Sequence, residues 1–480
     1  MTTSINTTNS ESMGQTREQR RNALSDDAYR RDLGDGLVLR WSTAEDTERL
    51  AEFYSWVFRD TAQSPQNTRI IVWVRDMMSG RHPLIGPTDF ALVENTHEGT
   101  PANIVAATCL LSQTWRYADL RIPIGRPEIV ATNPDYRRRG LIRAIFELIH
   151  ARSEARGDLA QEITGIPFYY RQFGYEYALD LGGSHEVFLS DIPSLKDGEP
   201  ERFTLRSATL GDIPALMRYE QAETAPYLLS TAIGEDYWRW LLDPEQGVNP
   251  EDAEVWRTYL LEMLTDGAVS ERRVVGHVYM ARERWDKGIP IFGCYTEPGI
   301  SLVAAVPSLL REIARVAADL PARAEAPALP SRISFMPGTQ HPIYAALGTL
   351  ASIGEPPHAT YVRVPNLPAF LRHIAPVLER RLAESPMSGH SGETHIDFYR
   401  GGLRLAFEQG ILIAAEDWQM PVWGMRNAGF PPLVFLQLLF GYRSLAELRY
   451  AFPDVRSADE TTTLLNILFP KQPSSVGPLG

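Results

Sequence analysis

Three consecutive arginines and a glycine, at positions 137–140, stand between an apolar strand and an amphipathic helix. The first turn of a helix has unpaired backbone N–H groups and the positive end of the helix dipole, which together favour a phosphate. Gly140 leaves room for an anion to approach the backbone, and the arginine side chains add positive charge. The segment therefore predicts a phosphate site. The alternative is a solvated basic turn between a strand and a helix.

The histidines and cysteines do not form a metal-ligand pattern. His390 and His395 flank a Gly/Ser stretch without a supporting cysteine or carboxylate arrangement, which favours a loop and the start of a strand. Cys109 lies in an apolar run, which predicts a buried, unreactive thiol. Cys294 is the only other cysteine, so neither a disulfide framework nor a thiolate-rich metal site is expected.

The arginine segment lies within a β-α-β pattern. Apolar strands are predicted at 37–40, 90–93, 104–107 and 128–132. A helix that begins near Arg139 carries apolar residues at helical spacing until Gly157 ends it. A further strand near Ile163 completes the pattern. The phosphate site is therefore expected at the turn between a strand and the helix that follows it.

A second start in the chain is similar to the first. Residues 37–46 can be aligned with 203–212, and an amphipathic helix follows each segment. The identical pairs are Leu39 and Leu205, Arg40 and Arg206, Thr43 and Thr209, and Asp46 and Asp212. An Asp-Gly-Glu-Pro break precedes the second copy. We therefore expect two domains of related fold, at 36–200 and 201–357.

The two ends of the chain differ from these domains. Residues 1–35 are polar and are predicted to form a flexible tail. Residues 367–382 predict an amphipathic helix, and a hairpin is expected around 401–402 because alternating segments flank a Gly-Gly pair. The nearly unbroken apolar run 433–440 predicts a buried helix. Residues 358–480 are therefore expected to form a third, α+β domain.

Composition places the chain among soluble globular proteins. The 480 residues are 44% hydrophobic and 22% charged, which predicts two to four packed domains rather than disorder. No apolar run approaches the roughly 18 residues of a membrane span, and the first residues lack the apolar segment of a secretory signal. We expect a cytoplasmic protein without a membrane partner. The net charge of −13 disfavours nucleic acid, which requires a basic face.

Residues 137–142 resemble motif A of the GNAT acetyltransferases, Arg/Gln-x-x-Gly-x-Gly/Ala. In that family the loop holds the pyrophosphate of acetyl-coenzyme A. Ile142 replaces the second small residue of the motif. The enhanced-intracellular-survival (Eis-like) branch of the family also carries a larger aliphatic residue there, so the departure points to that branch.

Residues 165–175, Gly-Ile-Pro-Phe-Tyr-Tyr-Arg-Gln-Phe-Gly-Tyr, resemble a second GNAT signature, Phe-Tyr-x-x-x-Gly-Phe. Taken alone, the segment predicts an aromatic edge of a core followed by a turn at Gly174. Counting back from that turn, the family's general-acid tyrosine falls on Tyr170, and Tyr169 takes the neighbouring aromatic position. The two motifs stand in the family's order and separation.

The predicted order of domains is also similar to that of Eis-like proteins. The resemblance implies an α/β (α+β) fold with a catalytic GNAT domain at 36–200, a second GNAT-like domain at 201–357 and a sterol-carrier-protein-like domain at 358–480. In the second copy, residues 301–310 stand in the place of motif A. They contain no arginine–glycine loop, so we expect coenzyme in the first domain alone.

The resemblance implies an N-acetyltransferase that moves an acetyl group from acetyl-coenzyme A to an amine of a small molecule or of a lysine-like side chain, without a metal. The backbone of Val130, Ala131 and Thr132 is expected beside the pantetheine. The expected pyrophosphate site comprises Arg138, Arg139, Gly140, Leu141, Ile142 and Arg143. Gly165 and Ile166 are expected on the other side of the splayed strands.

The expected mechanism is direct attack by the amine. Tyr170 would protonate the leaving thiolate, and a backbone N–H near Val130 would stabilise the developing oxyanion. Eis-like enzymes use their own C-terminal carboxylate as the base, which would make Gly480 the base here. The family's last residue is typically aromatic, so Gly480 departs from the pattern.

Two alternatives stay open at this point. The chain could be a non-catalytic acyl-CoA or lipid-binding protein that retains the fold, although Tyr170 and the arginine loop favour an enzyme. The C-terminal domain is assigned to packing and to completion of the active site, with lipid carriage as the alternative. The resemblance also implies a homohexamer. The identity of the acceptor amine is not encoded in either motif.

Overall fold

The computed structural model describes residues 16–61, 63–97, 103–265, 271–323, 329–421 and 426–477. The strands within these residues are β1 (Arg30–Gly34), β2 (Leu37–Trp41), β3 (Phe90–Asn95), β4 (Asn103–Tyr117), β5 (Leu120–Thr132), β6 (Ala160–Ile163), β7 (Glu176–Leu181), β8 (His185–Phe188), β9 (Phe203–Ser207), β10 (Leu229–Thr231), β11 (Trp256–Leu264), β12 (Arg272–Ala281), β13 (Gly288–Thr296), β14 (Arg332–Phe335), β15 (Ser352–Ile353), β16 (His358–Arg363), β17 (Gly392–Asp397), β18 (Gly402–Glu408), β19 (Ile411–Trp418), β20 (Ala428–Gly429), β21 (Arg456–Ser457) and β22 (Ser474–Ser475). The helices are α1 (Arg17–Ser25), α2 (Thr47–Val57), α3 (Thr68–Met77), α4 (Leu141–Ala155), α5 (Ile213–Thr224), α6 (Glu235–Leu242), α7 (Leu302–Ala317), α8 (Pro342–Leu347), α9 (Leu367–His373), α10 (Ala375–Ala383), α11 (Phe435–Leu439), α12 (Leu445–Ala451) and α13 (Asp459–Leu468).

The chain divides into two compact units. Unit 1 comprises Met1–Gly80, Ile85–Ser112 and Pro123–Gln161. Unit 2 comprises Arg81–Leu84, Gln113–Ile122 and Glu162–Gly480. The chain leaves unit 1 for the last time within β6. The predicted domain limits at 200 and 357 do not coincide with these units and stay predictions.

Unit 1 is built on the strands β1 to β6, which are neighbours in chain order. The first four pair antiparallel, whereas β5 and β6 run parallel and pair through Ile124 with Ala160. The apolar face of α4, including Ile145 and Leu148, packs in one cluster with Leu39 of β2. The predicted β-α-β pattern is thus present.

Part of the predicted flexible tail is folded. The side chain of Thr16 and that of Gln19 form a capping box at the start of α1, and α1 packs against α4. The indole of Trp41 donates to the carbonyl oxygen of Leu24 at 2.9 Å. β1 follows and pairs with β2. These contacts come from residues far along the chain, so local composition does not predict them.

Unit 2 contains a seven-stranded sheet in the order β15-β8-β14-β13-β12-β11-β9. The helix α7 packs on it through Leu309 and Ile313, in a cluster with Ile291 of β13. Elsewhere in unit 2, β16 pairs antiparallel with β7, and β10 lies between β22 and the end of β4. The guanidinium of Arg116 in that end of β4 binds both carboxylate oxygens of Glu220 on α5, at 2.8 and 3.1 Å.

The start of unit 1's sheet recurs in unit 2. Arg40 binds Asp46 and Glu94, and the aligned Arg206 binds Asp212 and Glu262. The register shifts at the same place in both copies, between 93 and 94 in one and between 261 and 262 in the other. The alignment of 37–46 with 203–212 therefore reflects a shared local structure, as expected for two domains of related fold.

The C-terminal part contains a five-stranded sheet in the order β19-β18-β17-β20-β21. The predicted hairpin joins β17 and β18, with Asp397 opposite Gly402. The single helix predicted at 367–382 is two helices, α9 and α10, that meet at Ile374. The break is explained by Pro376, which lies in the first turn of α10 and lacks the N–H that a continuous helix needs. The predicted helix at 433–440 is shorter, Phe435–Leu439.

Candidate active site

The arginine loop begins where β5 ends. The backbone N–H of Asn133 donates to the carbonyl oxygen of Val105 at 2.9 Å, and its side-chain oxygen accepts from the N–H of Asp135 at 3.1 Å. A 3-10 turn at Pro134–Tyr136 follows. Tyr136 is fixed in place because its hydroxyl accepts from the Asn95 side chain at 2.8 Å. The loop is therefore anchored to the strands at its start.

The rest of the loop is exposed and leads directly into α4. Gly140 is the N-cap of that helix with a φ of 77°, a conformation that favours glycine, and it provides no side-chain cap. A Cβ at Gly140 would have no atom within 4 Å, so the space in front of the helix is open. The guanidinium of Arg139 lies over the ring of Tyr136, 5.0 Å from its centroid. This combination of open N–H groups and arginines suits a phosphate.

The strand that leads to the loop contains a strained residue. Ile129 has a φ of 46°, which is a rare conformation for a β-branched residue. It separates Val130 from Glu128, whose carboxylate accepts from Arg126 at 2.7 Å. A left-handed residue turns the neighbouring backbone groups out of a regular ladder, so they become available to a ligand. The sequence contains no signal for this bend, since isoleucine disfavours it.

Tyr170 lies in unit 2, at the start of a 3-10 turn that ends at Gly174. Its side chain is buried, with 3% of its surface exposed. The ring is enclosed by those of Tyr169, Tyr175 and Tyr361, with centroids 5.1, 6.3 and 5.6 Å away. A Cβ at Gly165 would lie 3.5 Å from the Tyr170 hydroxyl. The absence of a side chain at Gly165 therefore leaves room beside the phenol.

The surroundings of Tyr170 depend on a distant strand. Tyr361, in β16, stacks on Tyr177 with centroids 3.9 Å apart, and its hydroxyl donates to the carbonyl oxygen of Ile166 at 3.3 Å. Arg171 binds Glu176 at 2.6 Å, while burial raises the pKa of the Glu176 carboxyl. Burial also raises the pKa of the Tyr175 hydroxyl. These groups fix the segment that carries Tyr170, and Tyr361 lies outside both sequence motifs.

The predicted site residues fall in both units. Unit 1 holds those at 130–132 and 138–143, whereas Gly165, Ile166 and Tyr170 belong to unit 2. Ile166 is exposed. Gly480 lies outside the described residues, and the last described residue is Gly477.

The second copy has a different helix start. The side chain of Ser301 caps α7 and accepts from the N–H of Ala304 at 3.2 Å. This cap occupies the position that Gly140 leaves open at α4, and no arginine precedes it in 295–301. The helix N-terminus of the second copy therefore has fewer free donors and no added positive charge.

The described residues contain neither a cluster of metal-binding side chains nor a helix that could cross a membrane. Across the part of the chain that the structure describes, no three or more His, Cys, Asp or Glu side chains are grouped so that they could hold a metal ion. None of the helices described has the length and apolar character that crossing a membrane requires.

The comparisons with known proteins concern the family of one part of the chain and the fold of the whole. A family model described as an acetyltransferase (GNAT) domain matches residues 39–178, which include both motifs. No curated protein matches the chain.

Solved structures match nearly the whole chain at low sequence identity. A GCN5-related N-acetyltransferase from Anabaena variabilis ATCC 29413 aligns with a TM-score of 0.59 and 14% identity, covering 91% of this chain and 98% of that one. A GCN5-related N-acetyltransferase from Kribbella flavida aligns with a TM-score of 0.58 and 17% identity, covering 92% of this chain and 97% of that one. Eis1 from Mycobacterium abscessus aligns with a TM-score of 0.51 and 13% identity, covering 91% of this chain and 98% of that one. Residues 39–178 thus form a GNAT acetyltransferase domain, and the α/β (α+β) fold of the chain is shared with GNAT proteins.

Proposed function

We propose that the protein is an N-acetyltransferase that moves an acetyl group from acetyl-coenzyme A to an amine of a small molecule or a lysine-like side chain. The observation that carries the proposal is the contrast between the two helix starts. The helix after the arginine loop is open at Gly140 with three arginines before it, whereas Ser301 caps the other. The first arrangement offers a phosphate open N–H groups and added positive charge.

The coenzyme would be held in the first domain alone. Arg138, Arg139 and Gly140, with Leu141, Ile142 and Arg143 at the start of α4, would bind the pyrophosphate. The backbone of Val130, Ala131 and Thr132, which follows the bend at Ile129, would bind the pantetheine amides. Gly165 and Ile166 would line the other side. No metal is required, because the coenzyme supplies an activated acetyl thioester.

Tyr170 would act as the general acid. The attacking amine must lose its proton before it can form the new C–N bond, and the C–S bond then breaks with the electron pair on sulfur. A backbone N–H near Val130 would donate to the carbonyl oxygen as negative charge develops there. The phenol of Tyr170 would give its proton to the departing sulfur.

The base is proposed to be the carboxylate of Gly480. In support, the preceding tail is held as a strand: Ser474 and Ser475 pair with β10, and the hydroxyl of Thr231 accepts from the N–H of Gly477 at 3.0 Å. Removal of residues 478–480 is expected to lower kcat while the affinity for acetyl-coenzyme A is retained. Full activity after truncation would eliminate Gly480 as the base.

Substitution of Gly140 by glutamate tests the coenzyme site. The new carboxylate would repel the phosphates, so calorimetry should show at least an about tenfold loss of acetyl-coenzyme A affinity. Gly157→Glu is a matched control because Gly157 is also exposed, has a positive φ of 84° and has no atom within 4 Å of a built Cβ. It lies just beyond the other end of α4.

The native protein should bind one coenzyme per chain. An equal affinity in Gly140→Glu, or two coenzymes per chain in the native protein, would contradict the placement. Thiol release with a panel of amines separates an enzyme from a non-catalytic acyl-CoA-binding protein. We further propose a cytoplasmic location, a homohexamer, and no nucleic-acid or membrane partner.

A further inference from the structure

A cavity of about 760 Å³ lies in unit 1, within the size range of small-molecule sites. Its walls come from α2, the residues that follow α2, the start of β4 and the end of β5. The lining residues used below are Glu52, Phe53, Trp56, Val57, Arg59 and Asp60. Asn133 and Pro134 also line it, so the cavity reaches the first residues of the arginine loop.

The cavity combines an aromatic wall with an excess of negative charge. Phe53 is buried, whereas Trp56 is 45% exposed with the guanidinium of Arg59 over its ring at 5.2 Å. Among the described residues, Glu52 and Asp60 make no ion pair, and Arg59 makes none either. The unpaired carboxylates outnumber the unpaired guanidinium by two to one.

The remaining arginine in the lining does not change this balance. Arg49 binds Asp46 at 2.6 Å and Glu94 at 2.9 Å, so its charge is already neutralised within the ion-pair network of the first copy. The charge that the cavity offers to a ligand therefore comes from Glu52, Asp60 and Arg59. Such a site favours a cation with an apolar body.

The corresponding residues of the second copy contact one another. The N–H of Glu297 donates to the carbonyl oxygen of Val275 at 2.8 Å, as Asn133 does to Val105, so Glu297 corresponds to Asn133. Glu297 forms an ion pair with Arg273. The hydroxyl of Tyr219, which corresponds to Phe53, contacts both Glu297 and the carbonyl oxygen of Val274 at 3.3 Å.

The exposed tryptophan of the aromatic wall is missing from the second copy. With Asp46 aligned to Asp212, the position of Trp56 is taken by Ala222. The exposed Trp56 and the open helix start thus occur together in the first copy, whereas the second has Ala222 and a capped helix start at those positions. Because both copies share the fold and only the first has these two features, we relate Trp56 and the cavity to the reaction.

We propose that this cavity binds the acceptor, and that the acceptor is a primary amine carrying an aromatic group. This inference rests on the proposed acetyl transfer. Trp56 and Phe53 contact the aromatic group, and Glu52 and Asp60 attract the ammonium. Trp56 determines specificity for the aromatic group, because the second copy has Ala222 at this position and lacks the ring.

Kinetics with two acceptors test the role of Trp56. Trp56→Ala is expected to lower kcat/KM for 2-phenylethylamine about tenfold, as expected for loss of one aromatic contact. For 2-methoxyethylamine kcat/KM should stay within about twofold, and KM for acetyl-coenzyme A should not change. Phe58→Ala is the control, since Phe58 is an exposed aromatic residue two positions further on that does not line the cavity. An equal loss for both amines with a raised KM for acetyl-coenzyme A would assign the cavity to the coenzyme and overturn the proposal.

Equilibrium binding separates failure of this inference from failure of the proposed function. Calorimetry should show that 2-phenylethylamine binds more tightly than the uncharged 2-phenylethanol, and that Glu52→Gln with Asp60→Asn removes the difference. If no amine is acetylated but this binding is present and is lost in Trp56→Ala, the acetyltransferase proposal fails and the cation site stands. If neither compound binds, or if Trp56→Ala binds as well as the native protein, the site is wrong whatever the enzyme does.

Discussion

The phenol of Tyr170 is enclosed by three tyrosine rings, and its hydroxyl lies beside Gly165, where a Cβ would be 3.5 Å away. Tyr170→Phe removes only the hydroxyl and keeps this packing. We expect kcat to fall by about 10²- to 10⁴-fold, the usual contribution of a general acid, with coenzyme affinity nearly unchanged. Steady-state thiol release and calorimetry measure the two quantities. Tyr169→Phe should retain most of the activity, and full activity in Tyr170→Phe would refute the assignment.

Asp158 is a buried residue whose carboxyl accepts a hydrogen bond from the hydroxyl of Ser153 at 2.6 Å. Burial raises its pKa to about 6. Because this lies above the value of about 3.9 in an unfolded chain, the folded state holds the proton more tightly. The contribution to stability is therefore full below pH 4 and is lost as the pH rises to 6.

Asp158→Asn should remove this dependence, since the amide oxygen can still accept from Ser153. Above pH 6 the variant is expected to be more stable than the native protein by up to about 2 kcal/mol. Thermal unfolding measured from pH 4 to pH 8 tests this. The exposed Asp454→Asn serves as a control. A pH profile of Asp158→Asn parallel to that of the native protein would contradict the prediction.

The same strand–turn–helix start occurs in both copies, but the arginine at its centre is more buried in the first copy than in the second. The side chain of Arg40 is 10% exposed and that of Arg206 is 37% exposed. Burial alone would raise the pKa of Asp46, but its hydrogen bond from Arg40 keeps it below the usual range. Arg40→Met would remove the central cation and leave Asp46 and Glu94 with Arg49, and Glu94 also with Arg30. Because these partners remain, the expected cost is below the roughly 3–5 kcal/mol of a buried charge that loses its only partner.

Arg206→Met should be milder, because water can solvate Asp212 and Glu262. We therefore expect a larger fall in Tm for Arg40→Met than for Arg206→Met in thermal unfolding. Both substitutions remove an arginine from an equivalent Asp–Glu pair, and the first copy keeps Arg49 on both carboxylates whereas the second has Ala215 at that position. Equal falls in Tm would mean that burial does not determine how much these ion pairs contribute to the stability of the protein.

The elements also show what local sequence signals can predict. The loop at Gly140 and the turn at Gly174 were both predictable, because glycine marks positions of positive φ. The break between α9 and α10 has a signal in Pro376. The bend at Ile129 has none, because only the surrounding sheet can hold isoleucine in that conformation.

At the scale of the whole molecule, the two copies were detectable because an ion pair and a capping pattern repeat with the same spacing. Local patterns also predicted the glycine at the start of α4 and the turn after Tyr170, while the roles of the arginine loop and of Tyr170 stay proposals. The ring of Tyr361 beside Tyr170 and the fold of residues 17–34 depend on contacts between distant segments, so they required the three-dimensional structure. The cavity beside Trp56 also depends on contacts between distant segments.

The pairing of β7 with β16 has a consequence for synthesis of the chain. Its two strands are separated by roughly 180 residues, and ribosomes add about 5–20 residues per second. The edge of β7 must therefore wait roughly 10–40 s for its partner to be translated. During that interval its unpaired N–H and C=O groups can pair with another nascent chain. Slow codons or stalling between residues 182 and 358 would prolong this exposure, so recovery of soluble protein should depend on elongation rate and on chaperones that shield strand edges.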